Sequence, residues 1–141
     1  MKDRNWYKDK NILVVGMGRS GVATLEVLHQ LGSKVFIQDE KTFDKLSEDV
    51  KSQIEGKYEK GYFGEEIQNL EEFDLTVVSP GVPMDNPIIQ KLDDKDISVI
   101  GELELAYRLA DGKFIGITGT NGKTTTTTLV GEIFKKVKED V

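Results

Sequence analysis

Apolar residues along this chain follow two alternating rhythms. Asn11-Ile12-Leu13-Val14-Val15-Gly16, Lys34-Val35-Phe36-Ile37-Gln38-Asp39 and Asp74-Leu75-Thr76-Val77-Val78-Ser79 are short, nearly unbroken runs, the pattern of parallel strands buried on both faces. Between the first two, Val22, Leu25, Leu28 and Leu31 recur at helical spacing until Gly32, which predicts an amphipathic helix with a glycine stop. Lys41 to Leu70 is polar; it is expected to hold a helix near Phe43 to Ile54, a short strand from Tyr58 to Phe63 and a helical turn over Glu65 to Leu70. Pro87 opens a helix to about Asp94, a strand follows over Ile97 to Ile100, and Glu102 to Ala110 is a further helix striped by Leu105, Ala106 and Leu109. Strands alternating with helices predict an α/β fold: a Rossmann-like, mostly parallel open sheet with flanking helices.

Asp111-Gly112 breaks the pattern, and a domain boundary is expected there, giving a first domain over 1–111 and a second over 112–141. The second opens with an expected strand, Phe114 to Thr118, and a helix from Lys123 to about Glu139. Leu129, Val130, Ile133, Phe134 and Val137 give that helix one apolar face in need of a cover. A sheet that begins with one strand, one loop and one helix is incomplete, so the chain reads as the N-terminal piece of a longer protein.

The candidate chemistry lies in two glycine turns. Gly16-Met17-Gly18-Arg19-Ser20-Gly21 matches the G-x-G-x-x-G nucleotide fingerprint between a strand and a helix. Asp39 closes the next strand, near the spacing of about 20 residues at which such folds set an acid beside a ribose. The turn Ser79-Pro80-Gly81-Val82-Pro83 ends another strand, where open α/β sheets collect ligands, and would form the opposite rim. Thr118-Gly119-Thr120-Asn121-Gly122-Lys123-Thr124-Thr125 reads as a phosphate-binding loop, with Ile117 where the usual pattern has glycine. Backbone N–H groups and a helix dipole would face the phosphates, Lys123 would reach them as a mobile charge, and the Thr124 hydroxyl would ligate Mg²⁺.

Charge and composition narrow the class. Charged residues make up 31% of the chain and the formal net charge is −6, without a basic stretch to neutralise a nucleic-acid backbone. No apolar run nears the roughly 20 residues that span a bilayer, and no secretory h-region is visible, so neither nucleic acid nor membrane is an expected partner and a cytoplasmic location is. Cysteine is absent, which removes disulfides and thiolate metal sites. Glu102 and Glu104, two apart on a helix, do not face one another and read as surface residues. His29 reads as a solvated helix residue, and Trp6 and Tyr7 as cover for the edge of the core.

Together, the first glycine turn, Ser79-Pro80-Gly81, Gly101-Glu102-Leu103-Glu104-Leu105 and Thr118 to Thr125 resemble the start of a Mur ligase, in its D-glutamate-adding branch. The resemblance implies an ATP-dependent ligase of peptidoglycan precursor synthesis acting on UDP-N-acetylmuramoyl-L-alanine and D-glutamate through an acyl phosphate. It implies that Gly18, Arg19, Ser20 and Gly21, with Asp39, Glu40, Lys41, Ser79 and Gly81, bind the UDP end of the substrate. Gly119, Thr120, Asn121, Gly122, Lys123, Thr124 and Thr125 would bind ATP, with Lys123 catalytic and Thr124 on Mg²⁺. The full enzyme is expected to be a monomer, and this chain alone inactive and able to self-associate through its last helix. The competing reading is a stand-alone NAD-binding or regulatory module.

Overall fold

The computed structural model describes residues 4–137. Five strands, β1 (Asn11–Val15), β2 (Lys34–Asp39), β3 (Lys60–Phe63), β4 (Leu75–Val78) and β5 (Val99–Gly101), form one sheet in the order β3-β2-β1-β4-β5, with every pairing parallel. β1 is central because it is apolar on both faces. Its Ile12 and Val14 join Leu25, Leu28, Ile37, Ile54 and Leu105 in one core, while Leu13 and Val15 join Phe73, Ile89 and Leu92 in another, as the two-residue period of a strand requires. The helices α1 (Arg19–Gln30), α2 (Glu48–Ile54) and α4 (Glu102–Leu109) supply the first layer; α3 (Pro87–Asp93) supplies the second.

The strand order decides where a ligand can enter. The chain moves outward from β1 to β3 on one side, then crosses to β4 on the other, so the loops after β1 and β4 diverge and leave a crevice at their carboxyl ends.

Several local expectations are corrected. The region from Phe43 to Ile54 is a 3-10 turn, Phe43–Lys45, followed by α2, because Ser47 caps a new helix by accepting the Val50 N–H. The helical turn expected over Glu65 to Leu70 lies later, as a 3-10 turn over Leu70–Glu72. Phe114 to Thr118 forms no strand: an apolar run becomes a strand only when a neighbour completes its ladder, and among the described residues no strand pairs with it. The last helix is α5 (Lys123–Lys136), with Leu129 and Ile133 exposed on it and Val137 exposed as its C-cap, where the helix stops short of the expected Glu139; the residues after Val137 lie outside the described ones. Contacts divide the chain between Asp111 and Gly112 into two units. Among the described residues, no helix is long and apolar enough to cross a membrane.

One buried group stands out energetically. Thr76, fully buried in β4, has a hydroxyl with no hydrogen-bond partner among the described residues. Valine has nearly the same shape without the stranded donor, so Thr76→Val is expected to raise stability by about 1 kcal/mol. A urea titration checks this; an unchanged or lower midpoint would mean that the hydroxyl is satisfied in solution.

Candidate functional site

The loops after β1, β2 and β4 enclose a cleft of about 440 Å³. Gly18, Arg19, Ser20, Asp39, Glu40, Lys41, Ser79 and Gly81 all line it, so three separate stretches of sequence meet at one place. Gly21 does not reach the surface of the cleft. It is the packing glycine, where a Cβ would stand 1.8 Å from the Gly16 carbonyl oxygen.

The glycine turn is held from three sides. Gly16, at φ +92°, donates its N–H to the Gln38 carbonyl at 2.8 Å, one step beyond the end of β1. Its own carbonyl accepts the Ser79 hydroxyl at 3.0 Å. The Met17 N–H donates to Asp39 Oδ2 at 2.7 Å, and the Lys41 N–H to Asp39 Oδ1 at 2.9 Å. Asp39 therefore braces two loops with one carboxylate, a role added to the ribose position expected for it.

With the amides of Gly16 and Met17 spent inside the protein, Gly18, Arg19 and Ser20 are left to serve a ligand. Gly18 is the N-cap of α1 and brings no side-chain acceptor, so it leaves the leading amides of that helix without a cap of its own. The exposed Arg19 and Lys41 add positive charge on both sides of the same opening. This arrangement suits an anion with an attached polar group at the end of β2.

Three contributors were missed by sequence reasoning. Glu102 was expected on the surface, but it is half-buried, and its Oε1 lies 2.9 Å from the Ser79 hydroxyl oxygen, sharing with the Gly16 carbonyl the one proton that hydroxyl can donate. The rule that residues two apart do not face each other holds for Glu102 and Glu104; it is silent about a partner delivered by β4. Gln38 is buried and lines the cleft. Asn86 lines it as well and donates to Glu40; its place before Pro87 signalled a helix start and nothing more.

In the second unit, Gly119 (φ +153°) and Gly122 (φ +78°) bend the chain into the first turn of α5. The Lys123 ammonium donates to the Gly119 carbonyl, drawing the loop into a ring. Thr127 and Thr128 use their hydroxyls on the helix's own carbonyls of Lys123 and Thr124. Thr124 and Thr125 lie in the first turn of α5.

Residues 10–101 match the family model for the Mur ligase MurD-like N-terminal domain. The chain is 50% identical over 130 residues to the UDP-N-acetylmuramoylalanine–D-glutamate ligase of Alkaliphilus oremlandii (strain OhILAs), covering 91% of this chain and 29% of that protein. It is 45% identical over 137 residues to the ligase of the same name from Clostridioides difficile (strain 630), covering 94% and 30%. The chain thus spans about three tenths of the length of these curated relatives. Among solved structures, a pseudomurein peptide ligase type C from Methanothermus fervidus is similar with a TM-score of 0.55 and 26% identity, over 89% of this chain and 26% of that one. The UDP-N-acetylmuramate:L-alanyl-gamma-D-glutamyl-meso-diaminopimelate ligase from Neisseria meningitides shares the fold, with a TM-score of 0.57 and 21% identity over 89% of this chain and 39% of that one.

Proposed function

The chain belongs to the Mur ligase family through a MurD-like N-terminal domain, and from that premise we propose that its cleft holds the UDP end of UDP-N-acetylmuramoyl-L-alanine. The observation that carries this reading is the meeting of Gly18 to Ser20, Asp39 to Lys41 and Ser79 to Gly81 around one opening at the switch point of the sheet. The diphosphate lies against the start of α1 between Arg19 and Lys41, and the nucleoside runs along the end of β2.

The loop Gly119 to Thr125 takes the phosphates of ATP, as part of a longer cytoplasmic ligase that adds D-glutamate. Bound there, ATP would give its γ-phosphoryl group to the substrate's terminal carboxylate with ADP as the leaving group, and the amine of D-glutamate would then displace inorganic phosphate from the acyl phosphate and lose a proton to form the amide. Two positive-φ glycines and the first turn of α5 fit a phosphate chain, and Lys123 supplies the charge that stabilises it. Thr124 offers Mg²⁺ one oxygen. Among the described residues no group of three or more His, Cys, Asp or Glu could hold a metal. The exposed Leu129 and Ile133 of α5, with Val137 just beyond its end, are the face through which this chain self-associates.

Isothermal titration of the 141-residue chain with UDP and with NAD tests the reading. UDP is expected to bind at least about tenfold tighter, a difference of about 1.4 kcal/mol. Equal or tighter binding of NAD would transfer the cleft to the dinucleotide reading. The same chain is expected to show no ligase turnover.

A further inference from the structure

The second glycine loop carries a reaction of its own. Asn121-Gly122 is the one Asn-Gly pair in the chain; Asn5, Asn11, Asn69 and Asn86 are followed by Trp6, Ile12, Leu70 and Pro87. That matters because the nitrogen of the following residue can close a five-membered ring onto the asparagine amide carbon, and glycine puts no side chain in the way. Asn121 and Gly122 are both exposed, and a Cβ added at Gly122 would meet nothing within 4 Å. Among the described residues, neither the Asn121 side-chain amide nor the Gly122 N–H is held by a hydrogen bond. Asn11 and Asn86 differ: the first donates from Nδ2 to the Glu72 carbonyl, and the second is engaged at both ends of its amide. Gly122 is also the N-cap of α5, so the positive end of the helix dipole favours negative charge developing on its nitrogen.

We propose that Asn121 is a deamidation site whose conversion disables the loop, and that a phosphate bound in the loop guards it. The Gly122 nitrogen gives up its proton and bonds to Asn121 Cγ; the Cγ–Nδ2 bond breaks, and ammonia leaves with that proton. The resulting succinimide takes up a water. Opening at Cγ gives aspartate, and opening at the Asn121 main-chain carbonyl gives isoaspartate, in which the chain runs through the side chain and is one atom longer. Water enters, ammonia leaves, and nothing is oxidised or reduced. Either product sets a carboxylate inside the turn that Gly119 and Gly122 shape. A like charge about 4 Å from a phosphate weakens its binding about fivefold in open water and more in a partly closed loop. The guarding half rests on the ATP reading of this loop: a phosphate oxygen that accepts the Gly122 N–H keeps the proton in place and blocks the attack.

The test is ageing of the complete ligase, followed by tryptic mapping of the peptide Phe114 to Lys123. Conversion is read as the mass gain from amide to acid, and isoaspartate by labelling with an isoaspartyl methyltransferase. Without nucleotide, Asn121 is expected to convert faster than the exposed Asn69, and turnover at sub-saturating ATP to fall in step with the converted fraction. Asn121→Gln, whose longer side chain cannot close the five-membered ring, is expected to hold its own starting turnover over the same period. A non-hydrolysable ATP analogue at about ten times its dissociation constant is expected to slow conversion about tenfold. Conversion no faster than at Asn69, conversion without loss of turnover, or an Asn121→Gln enzyme that fades at the parent's rate overturns the proposal. Conversion with matching loss that the analogue does not slow defeats instead the ATP reading of the loop, and the guarding with it.

Discussion

Gly21→Ala is expected to destabilise the first unit by about 3 kcal/mol or more and to reduce UDP affinity at least about 100-fold. A Cβ at position 21 would lie 1.8 Å from the Gly16 carbonyl oxygen, 3.0 Å from the carbon bearing it and 2.9 Å from the Ser79 hydroxyl oxygen. Two of these are backbone atoms, which have no rotamer to change. Either α1 lifts from the sheet or the turn after β1 is rebuilt. Leu25 and Leu28 anchor α1 with no exposed surface, so lifting it opens cavities of the kind that cost about 2–5 kcal/mol for a buried leucine. Rebuilding the turn instead moves Gly16 off its bonds to Gln38 and Ser79 and misplaces the amides that follow. Gly18→Ala is the control, because a Cβ there meets nothing within 4 Å and the residue's φ of −76° suits any side chain. It is expected to stay within about 0.5 kcal/mol of the parent. Urea titrations and UDP calorimetry on both variants decide the matter, and a Gly21→Ala chain that folds and binds like the Gly18→Ala chain would disprove this account of the turn.

The same turn shows how far sequence alone could reach. Asn11 to Gly16, the glycines and the leucine stripe of α1 announced a strand, a turn and a helix, because each signal is local and each was met. The division of labour among the glycines was not legible: Gly16 supplies a positive φ, Gly18 an open edge and Gly21 a close approach, and only the packed neighbours tell them apart. The strand order was legible only as a class, since an apolar run does not name its neighbour. For the same reason Phe114 to Thr118 resembled a strand and does not form one. Cross-rim pairs were invisible as well. Ser79 with Glu102 and Glu40 with Asn86 join residues far apart in the chain, and nothing in the spacing of either pair marks it.

In the complete ligase, Lys123→Ala is expected to lower kcat/KM by about 100- to 1,000-fold, the range for removing one preorganised donor from developing negative charge. The lysine holds the Gly119 carbonyl across the loop, so its ammonium is already inside the ring that Gly119 and Gly122 shape. A phosphate entering that ring replaces the carbonyl with a stronger, charge-assisted partner. Lys123→Arg is expected to recover little, because a planar fork on a longer stem cannot occupy the place of a compact point charge. UDP binding is the internal control. Lys123 lies in the second unit and the cleft in the first, so both variants are expected to bind UDP within about twofold of the parent. Turnover that survives within tenfold would remove Lys123 from the phosphate site, and UDP binding that falls along with turnover would point to a folding defect. Loss of turnover with UDP binding intact is the one result that assigns the two glycine turns to two different ligands.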